Sequence, residues 1–255
     1  MKYHHYWELL WNLTKKTIKV RYKQSAFGIG WAILQPLAMM MMFALIFSAL
    51  LKIPSDGLPY PLFVYSALLP WQLFSASLSN AVPSLVTNTS LMRKVYFPRM
   101  LFVMAAIAAC LVDFAIGATI YLGMMIWYGV DFGPILLWVV PILVVQLVFT
   151  LGLSLLLAPL NAWYRDVRVA LPLMLQLWMY ATPIIYPISV VPDSLKLYYM
   201  LNPTVGIMNS WRSVLAKGEA PSLEYLGIAA IGAVVLLVVG YWVFKRTEMT
   251  LADVV

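Results

Sequence analysis

The sequence predicts an all-α integral membrane protein: six transmembrane helices preceded by an amphipathic interface helix, with a short re-entrant external helical hairpin between helices 5 and 6. Three observations predict it. Of 255 residues, 63% are hydrophobic and only 11% charged, a composition that cannot cover a soluble surface. Six apolar segments, 30–52, 61–86, 100–127, 134–158, 169–187 and 223–244, are long enough, at about 1.5 Å per residue, to cross a hydrocarbon core of about 30 Å. The cations also divide unequally. With the N-terminus inside, six crossings leave Lys52, Lys196, Arg212 and Lys217 outside. The other thirteen fall inside, a positive-inside bias that puts both termini in the cytoplasm.

The first element is residues 2–23. Tyr3, Trp7, Leu10, Trp11 and Ile18 recur at helical spacing, and His5, Glu8, Asn12, Lys15, Lys16, Lys19 and Lys23 gather on the opposite arc. This predicts a helix lying in the membrane interface, with Arg21 and Lys23 among lipid phosphates. The polar face serves either for anchoring alone or for docking a cytoplasmic partner. Gly28 and Gly30 permit a turn, Trp31 suits the headgroup level, and Pro36 interrupts the first crossing. The first twenty residues lack the apolar core of a cleavable leader.

The stretch 188–220 is too long for a tight turn and too apolar for an open loop. Pro192-Asp193 starts a short helix that stops before Asn202-Pro203, and a second runs from about Val205 to a Gly218 cap. Neither spans, so both are expected to dip back between helices as a re-entrant hairpin covered by protein. Residues 1–255 thus form one transmembrane domain, 30–244 being the six-helix bundle. Asn88-Thr89-Ser90 has the form of a glycosylation sequon but falls on the cytoplasmic side, where it is fortuitous.

Several chemistries are excluded or weak. No G-x-x-x-x-G-K-[ST] phosphate loop is present, so ATP hydrolysis by that route is not expected. The only histidines, His4 and His5, adjoin at the N-terminus and make neither a catalytic set nor a metal site. The single Cys110 excludes an intrachain disulfide and reads as a packing residue. The +7 formal charge is spread over helix ends, which suits anionic lipid and argues against a nucleic-acid partner. Asp113 is the one acidic group near the middle of a crossing, where a charge is costly unless paired or wet. A hydrogen-bonded structural role is the better reading, with a proton-transport role as its rival. The other segments offer only uncharged polar residues such as Gln35, Gln72, Gln146 and Gln176.

The run R-Y-K-Q-x-x-x-G-x-x-W-x-x-x-Q-P from Arg21 to Pro36 resembles the first-helix signature of permease subunits of ABC-type polysaccharide exporters. The same family pattern recurs at Lys94–Pro98 (KVYFP), Asn161–Val167 (NAWYRDV), Thr182–Tyr186 (TPIIY) and Leu201–Pro203 (LNP). The resemblance implies a channel-forming subunit that moves a lipid-linked polysaccharide, O-antigen first among the candidates, across the cytoplasmic (inner) membrane. It implies a homodimer and two copies of a separate ATPase subunit that uses ATP and Mg, with no cofactor bound by this chain. An extracellular hairpin is also implied. A teichoic acid, capsule, drug or lipid cargo, and a proton-coupled carrier working through Asp113, are the alternatives.

A polysaccharide path wants aromatic walls, because sugar C–H faces stack on aromatic planes. Trp31 and Phe43 in the first segment and Trp178, Tyr180 and Tyr186 in the fifth are the candidates. Interface anchoring fits Trp31 and Tyr186 equally well. The Met39–Met42 run suits a core or a pore for irregular cargo. The loops 88–99 and 161–168 are cationic and more aromatic than anchoring needs. By the resemblance, Glu8, Lys15 and Lys19 with Arg93 and Lys94 form the contact with the ATPase subunit. Arg93, Lys94 and Arg99 are further candidates for the diphosphate of a lipid-linked cargo.

Overall fold

The computed structural model describes residues 2–23, 27–28, 30–92, 97–130 and 133–248, the side chains from Tyr6 onward. Among the described residues every regular element is helical. Helix α1, Lys2–Tyr22, is followed by α2, Gly30–Phe43, which continues as a wider π-type helix over Ala44–Leu50. Helix α3, Tyr60–Ala81, follows Pro59 and carries Pro61 in its first turn, where the missing amide hydrogen has no intrahelical partner to lose and the fixed φ suits a helix. Two single-turn helices, α4 (Ser84–Thr87) and α5 (Thr89–Met92), follow Pro83. Then come α6, Met100–Trp127, and α7, Val139–Trp163, the latter led in by a 3-10 turn over Pro134–Trp138. Helix α8 is Asp166–Tyr180, α9 Asp193–Met200, α10 Pro203–Arg212 with a π-type extension over Ser213–Lys217, and α11 Leu223–Thr247.

Five helical stretches are long and apolar enough to cross a membrane: 30–50, 60–81, 100–127, 134–163 and 223–247. They match five of the six expected segments. The fifth, 169–187, is not one continuous helix. Its helix stops at Tyr180, and about 15 residues rise only about 22 Å, short of the hydrocarbon core. Pro183 and Pro187 explain the stop, because neither supplies the amide hydrogen that another turn requires. The chain instead turns through 181–187, with the Ile184 amide donating to the Thr182 carbonyl at 2.7 Å.

The bundle is built around α3, which is buried along most of its length. Phe63, Val64, Tyr65, Leu68 and Leu78 are wholly enclosed. Helices α7 and α11 run together in close contact. A Cβ built on Gly240 would stand 2.2 Å from the Gly152 carbonyl oxygen, and one built on Gly152 would meet the Leu237 backbone at 2.6 Å. Small residues are what bring helices this near where no hydrophobic effect drives them together.

The two short helices between α8 and α11 occur as expected. Asn202 caps α10 by accepting from the Thr204 amide at 3.2 Å. Gly218 ends the extension in the left-handed region, φ +67°, while the Glu219 amide reaches the Ser213 carbonyl at 3.0 Å. Helix α10 lies inside the bundle: Val205, Ile207, Met208 and Trp211 are buried, and Gly206 abuts the Tyr225 carbonyl. Its polar contacts are internal. Trp211 donates to Gln146 Oε1 at 2.7 Å, and Gln146 in turn donates to the Pro70 carbonyl at 2.7 Å. Arg212 donates to the Ile184 carbonyl at 2.7 Å and lies 3.9 Å over the Phe63 ring.

On the opposite side, α1 docks on α6 through Leu13, which packs in one cluster with Leu85, Leu101, Phe102 and Ala106. Its outer face carries Trp7, Trp11 and Val20, all exposed. Large apolar side chains of α2 (Ile33, Leu34, Met41, Met42, Leu45) and of α8 (Leu173, Met174, Leu177) are likewise uncovered.

Candidate functional site

Where α1 ends and α2 begins, the chain closes one side of a polar cleft against α3 and α6. Asp113 stands in the middle of α6 and receives two donors from α1, the Arg21 guanidinium on Oδ2 and the Tyr22 hydroxyl on Oδ1. A carboxylate within an apolar helix is stable only with such partners. This adds to the expectation for Arg21: its guanidinium is paired with a residue 92 positions away. Its second terminal nitrogen reaches the Cys110 sulfur at 3.6 Å, and Asn80 approaches the same sulfur at 3.8 Å.

The cleft has a volume of about 510 Å³. Its walls include the Arg21–Asp113 pair, Trp31 and Gln35 of α2, and Gln72, Ser75, Ser79 and Asn80 of α3. Gln72, Ser75 and Ser79 of α3 recur every three to four positions and so share one helix face, with Asn80 at its edge, a stripe visible in the sequence at helical spacing. That stripe is what the sequence reading passed over: it noted Gln35 and Gln72 only as uncharged polar residues. A second hollow of about 290 Å³ continues from Ser79 and Asn80 to Lys16, Asn88 and Arg168. Lys16 donates to Asn88 Oδ1 at 3.3 Å, tying α1 to the turn between α4 and α5.

The aromatic candidates separate. Trp31 is 47% exposed at the cleft, edge-on to Phe27 at 5.5 Å between ring centres. Phe43 turns the other way. It is buried in the core beside Phe47, so α2 does not offer it to a path along its outer face. Trp178 is also engaged inside the chain: its indole donates to Asn202 at 3.1 Å and stands edge-on to Phe74 and Phe149. Tyr180 is exposed on α8. Tyr186 donates to the Tyr180 carbonyl at 2.9 Å and meets the Tyr199 hydroxyl, a bond linking the end of α8 to α9.

Of the cations, Lys15 is exposed and sits 5.0 Å over the Trp11 ring, and Lys19 and Glu8 are exposed on the same helix. Arg99 is occupied. Its amide donates to the Glu248 carboxylate at 3.2 Å and its guanidinium to the Glu248 backbone carbonyl, just beyond α11, which ties it to the end of the last helix without cancelling its charge. Arg93 and Lys94 lie outside the described residues. Beyond the helices, Lys217 and Ser189 converge on Asp56 at 3.0 Å each, joining the loop 51–59 to the α9–α10 region. Among the described residues no group of three His, Cys, Asp or Glu could hold a metal ion.

These features define a polytopic helical membrane protein with a helix docked beside its spans, uncovered apolar helix faces and a polar cleft. The chain belongs to the ABC-2 type transporter family, whose pattern it matches over residues 8–216. It is 30% identical over 257 residues to an O-antigen export system permease protein, RfbA, of Klebsiella pneumoniae, covering 100% of this chain and 98% of that protein. An RfbA of Myxococcus xanthus is 31% identical over 252 residues, covering 96% and 94%. The polysialic acid transport protein KpsM of Escherichia coli is 24% identical over 240 residues, with 91% of each chain covered. The chain is thus a permease-type membrane subunit related to polysaccharide exporters.

Proposed function

We propose that this chain is the channel-forming half of an ATP-driven exporter that moves a lipid-linked polysaccharide, O-antigen in the first instance, across the cytoplasmic membrane. The observation that carries the reading is the end-to-end similarity to O-antigen export permeases, which spans the interface helix, the bundle and the α9–α10 region. In this reading the chain crosses six times with both termini in the cytoplasm. The irregular stretch 181–187 completes the crossing that α8 begins, and α9 and α10 form the re-entrant hairpin.

Two copies pair through the uncovered faces of α2 and α8, because bare helix faces of this kind are where a second membrane protein packs. The path lies between them. A separate ATPase subunit binds ATP and Mg and closes against α1 and the 88–99 loop. Lys16–Asn88 joins the loop to α1, and Arg21–Asp113 joins α1 to α6, so a push from below moves them together.

The test is deletion of the gene and complementation in the producing cell, with co-purification of the tagged chain. Loss of surface glycan, accumulation of its lipid-linked precursor inside, and recovery of a protein with a phosphate-binding loop are expected. Retention of surface glycan after deletion refutes the reading. Capsule export is the second reading, favoured by the similarity to KpsM. It predicts loss of capsule with O-antigen intact.

A further inference from the structure

We propose that the cleft between α1, α2, α3 and α6 is a binding site for uncharged sugar rings of the cargo, one in each protomer, apart from any path between protomers. The proposal rests on the polysaccharide reading above and adds a place within the chain where the glycan is held.

Three features of the cleft assign it this chemistry. Gln35 and Gln72 face it from two different spans, and neither side chain has a hydrogen-bond partner among the described residues. An amide presented to hydrocarbon forfeits several kcal/mol, so these groups require water or a hydroxylated ligand in front of them. Sugar hydroxyls both donate and accept, which matches an amide's paired oxygen and nitrogen. Trp31 supplies an exposed aromatic plane at the same cleft, the surface on which a sugar's C–H face stacks.

Charge sets the second limit. Among the described residues that line the cleft there is one cation, Arg21, and its guanidinium is already paired with Asp113, whose other oxygen takes the Tyr22 hydroxyl. The described walls therefore carry no uncompensated positive charge with which to hold a diphosphate. The cations that could do so, Lys16 and Arg168, lie in the adjoining hollow. The cleft's volume of about 510 Å³ falls within the roughly 300–1,000 Å³ usual for small-molecule sites.

The experiment uses the purified chain, with any co-purifying subunit, in lipid nanodiscs. Saturation-transfer NMR is recorded with oligosaccharides released from the producing cell's own surface polysaccharide, and 31P line broadening is recorded separately with inorganic pyrophosphate. The expected result is saturation of sugar ring protons, weakened at least fivefold in Gln72→Ala and Gln35→Ala and abolished in Ala76→Phe, which fills the cleft. Gln35 is exposed on α2, so its replacement leaves folding intact even where a bulky substitution at Ala76 does not. Sugar binding that survives all three substitutions overturns the proposal, as does its absence from the unaltered protein. Binding by pyrophosphate alone assigns the cleft to the anion and also overturns it. Any of these results, obtained while gene deletion still abolishes surface glycan, leaves the exporter reading standing.

Discussion

Replacing Asp113 by Asn keeps the shape of the side chain and removes its charge, leaving Arg21 in a cleft walled by membrane helices without its counter-ion. Hydrogen bonds to charged groups contribute about 1.5–3 kcal/mol each. The Arg21 and Asp113 side chains are 24% and 25% exposed, so water screens the pair and the lower part of that range applies. We therefore expect a loss of about 2 kcal/mol. For chains of roughly this length each kcal/mol displaces the unfolding midpoint by about 2–4 °C, giving a fall on the order of 4–8 °C. Arg21→Met should cost as much, since it strands the carboxylate. The double variant Arg21→Met with Asp113→Leu removes both charges and should regain most of the loss. The assay is thermal unfolding of the protein in nanodiscs, read as a double-mutant cycle. Shifts under 1 °C for both single variants, or simple additivity in the double, would refute the idea that this pair clamps α1 to α6. Transport that stays intact and ATP-dependent in Asp113→Asn also removes the proton-carrier alternative.

Three other substitutions or conditions probe separate parts of the fold. Gly240→Leu drives a side chain into the Gly152 carbonyl and should abolish monodisperse protein on gel filtration, whereas Gly227→Leu on the same helix, with nothing within 4 Å of its Cβ position, should be tolerated. Gln146→Leu leaves the Trp211 N–H without its acceptor in the core and removes a bond to the Pro70 carbonyl, and should cost about 1–3 kcal/mol in thermal unfolding. Partial burial pushes the Asp56 carboxyl up, but hydrogen bonds from Lys217 and Ser189 and the positive charges of Lys217 and Arg212 bring it below its ordinary value. A depressed folded-state value means that this contribution is complete above the unfolded value of about 3.9 and is lost as pH falls through the lower folded one. Stability from this contact should be flat between pH 7 and 5, decline below about pH 4, and show no such decline in Asp56→Asn.

What was legible in the sequence follows from local rules. The starts and stops around α9 and α10 were readable because Pro192-Asp193, Asn202-Pro203 and Gly218 act on their own backbone, whatever packs nearby. The fifth segment was overextended because its hydropathy remains high through Ile184 and Ile185, while Pro183 and Pro187 decide the backbone. Aromatics suit a sugar channel, which makes Phe43 and Trp178 path candidates by residue type, yet which way each points depends on packing: Phe43 is buried in the core beside Phe47, and Trp178 stands against Phe74 of α3 and Phe149 of α7. The α3 polar stripe was present as spacing but acquired meaning only when the Arg21–Asp113 pair and Trp31 closed around it.

The sequence by itself determined that the chain is helical, where the apolar segments lie, the amphipathic start and the family. All of these depend on composition, short-range periodicity or the order of short motifs. The tertiary structure alone decided that Arg21 meets Asp113, that Arg99 meets Glu248, that Gly152 faces Gly240, and that the polar residues of α2 and α3 enclose one cleft. The physical reason is that a helix's own periodicity reports which residues share a face. Which face meets which is set by packing between helices far apart in the chain, where close approach of small residues and pairing of charges choose among many arrangements that the same hydrophobic pattern would allow.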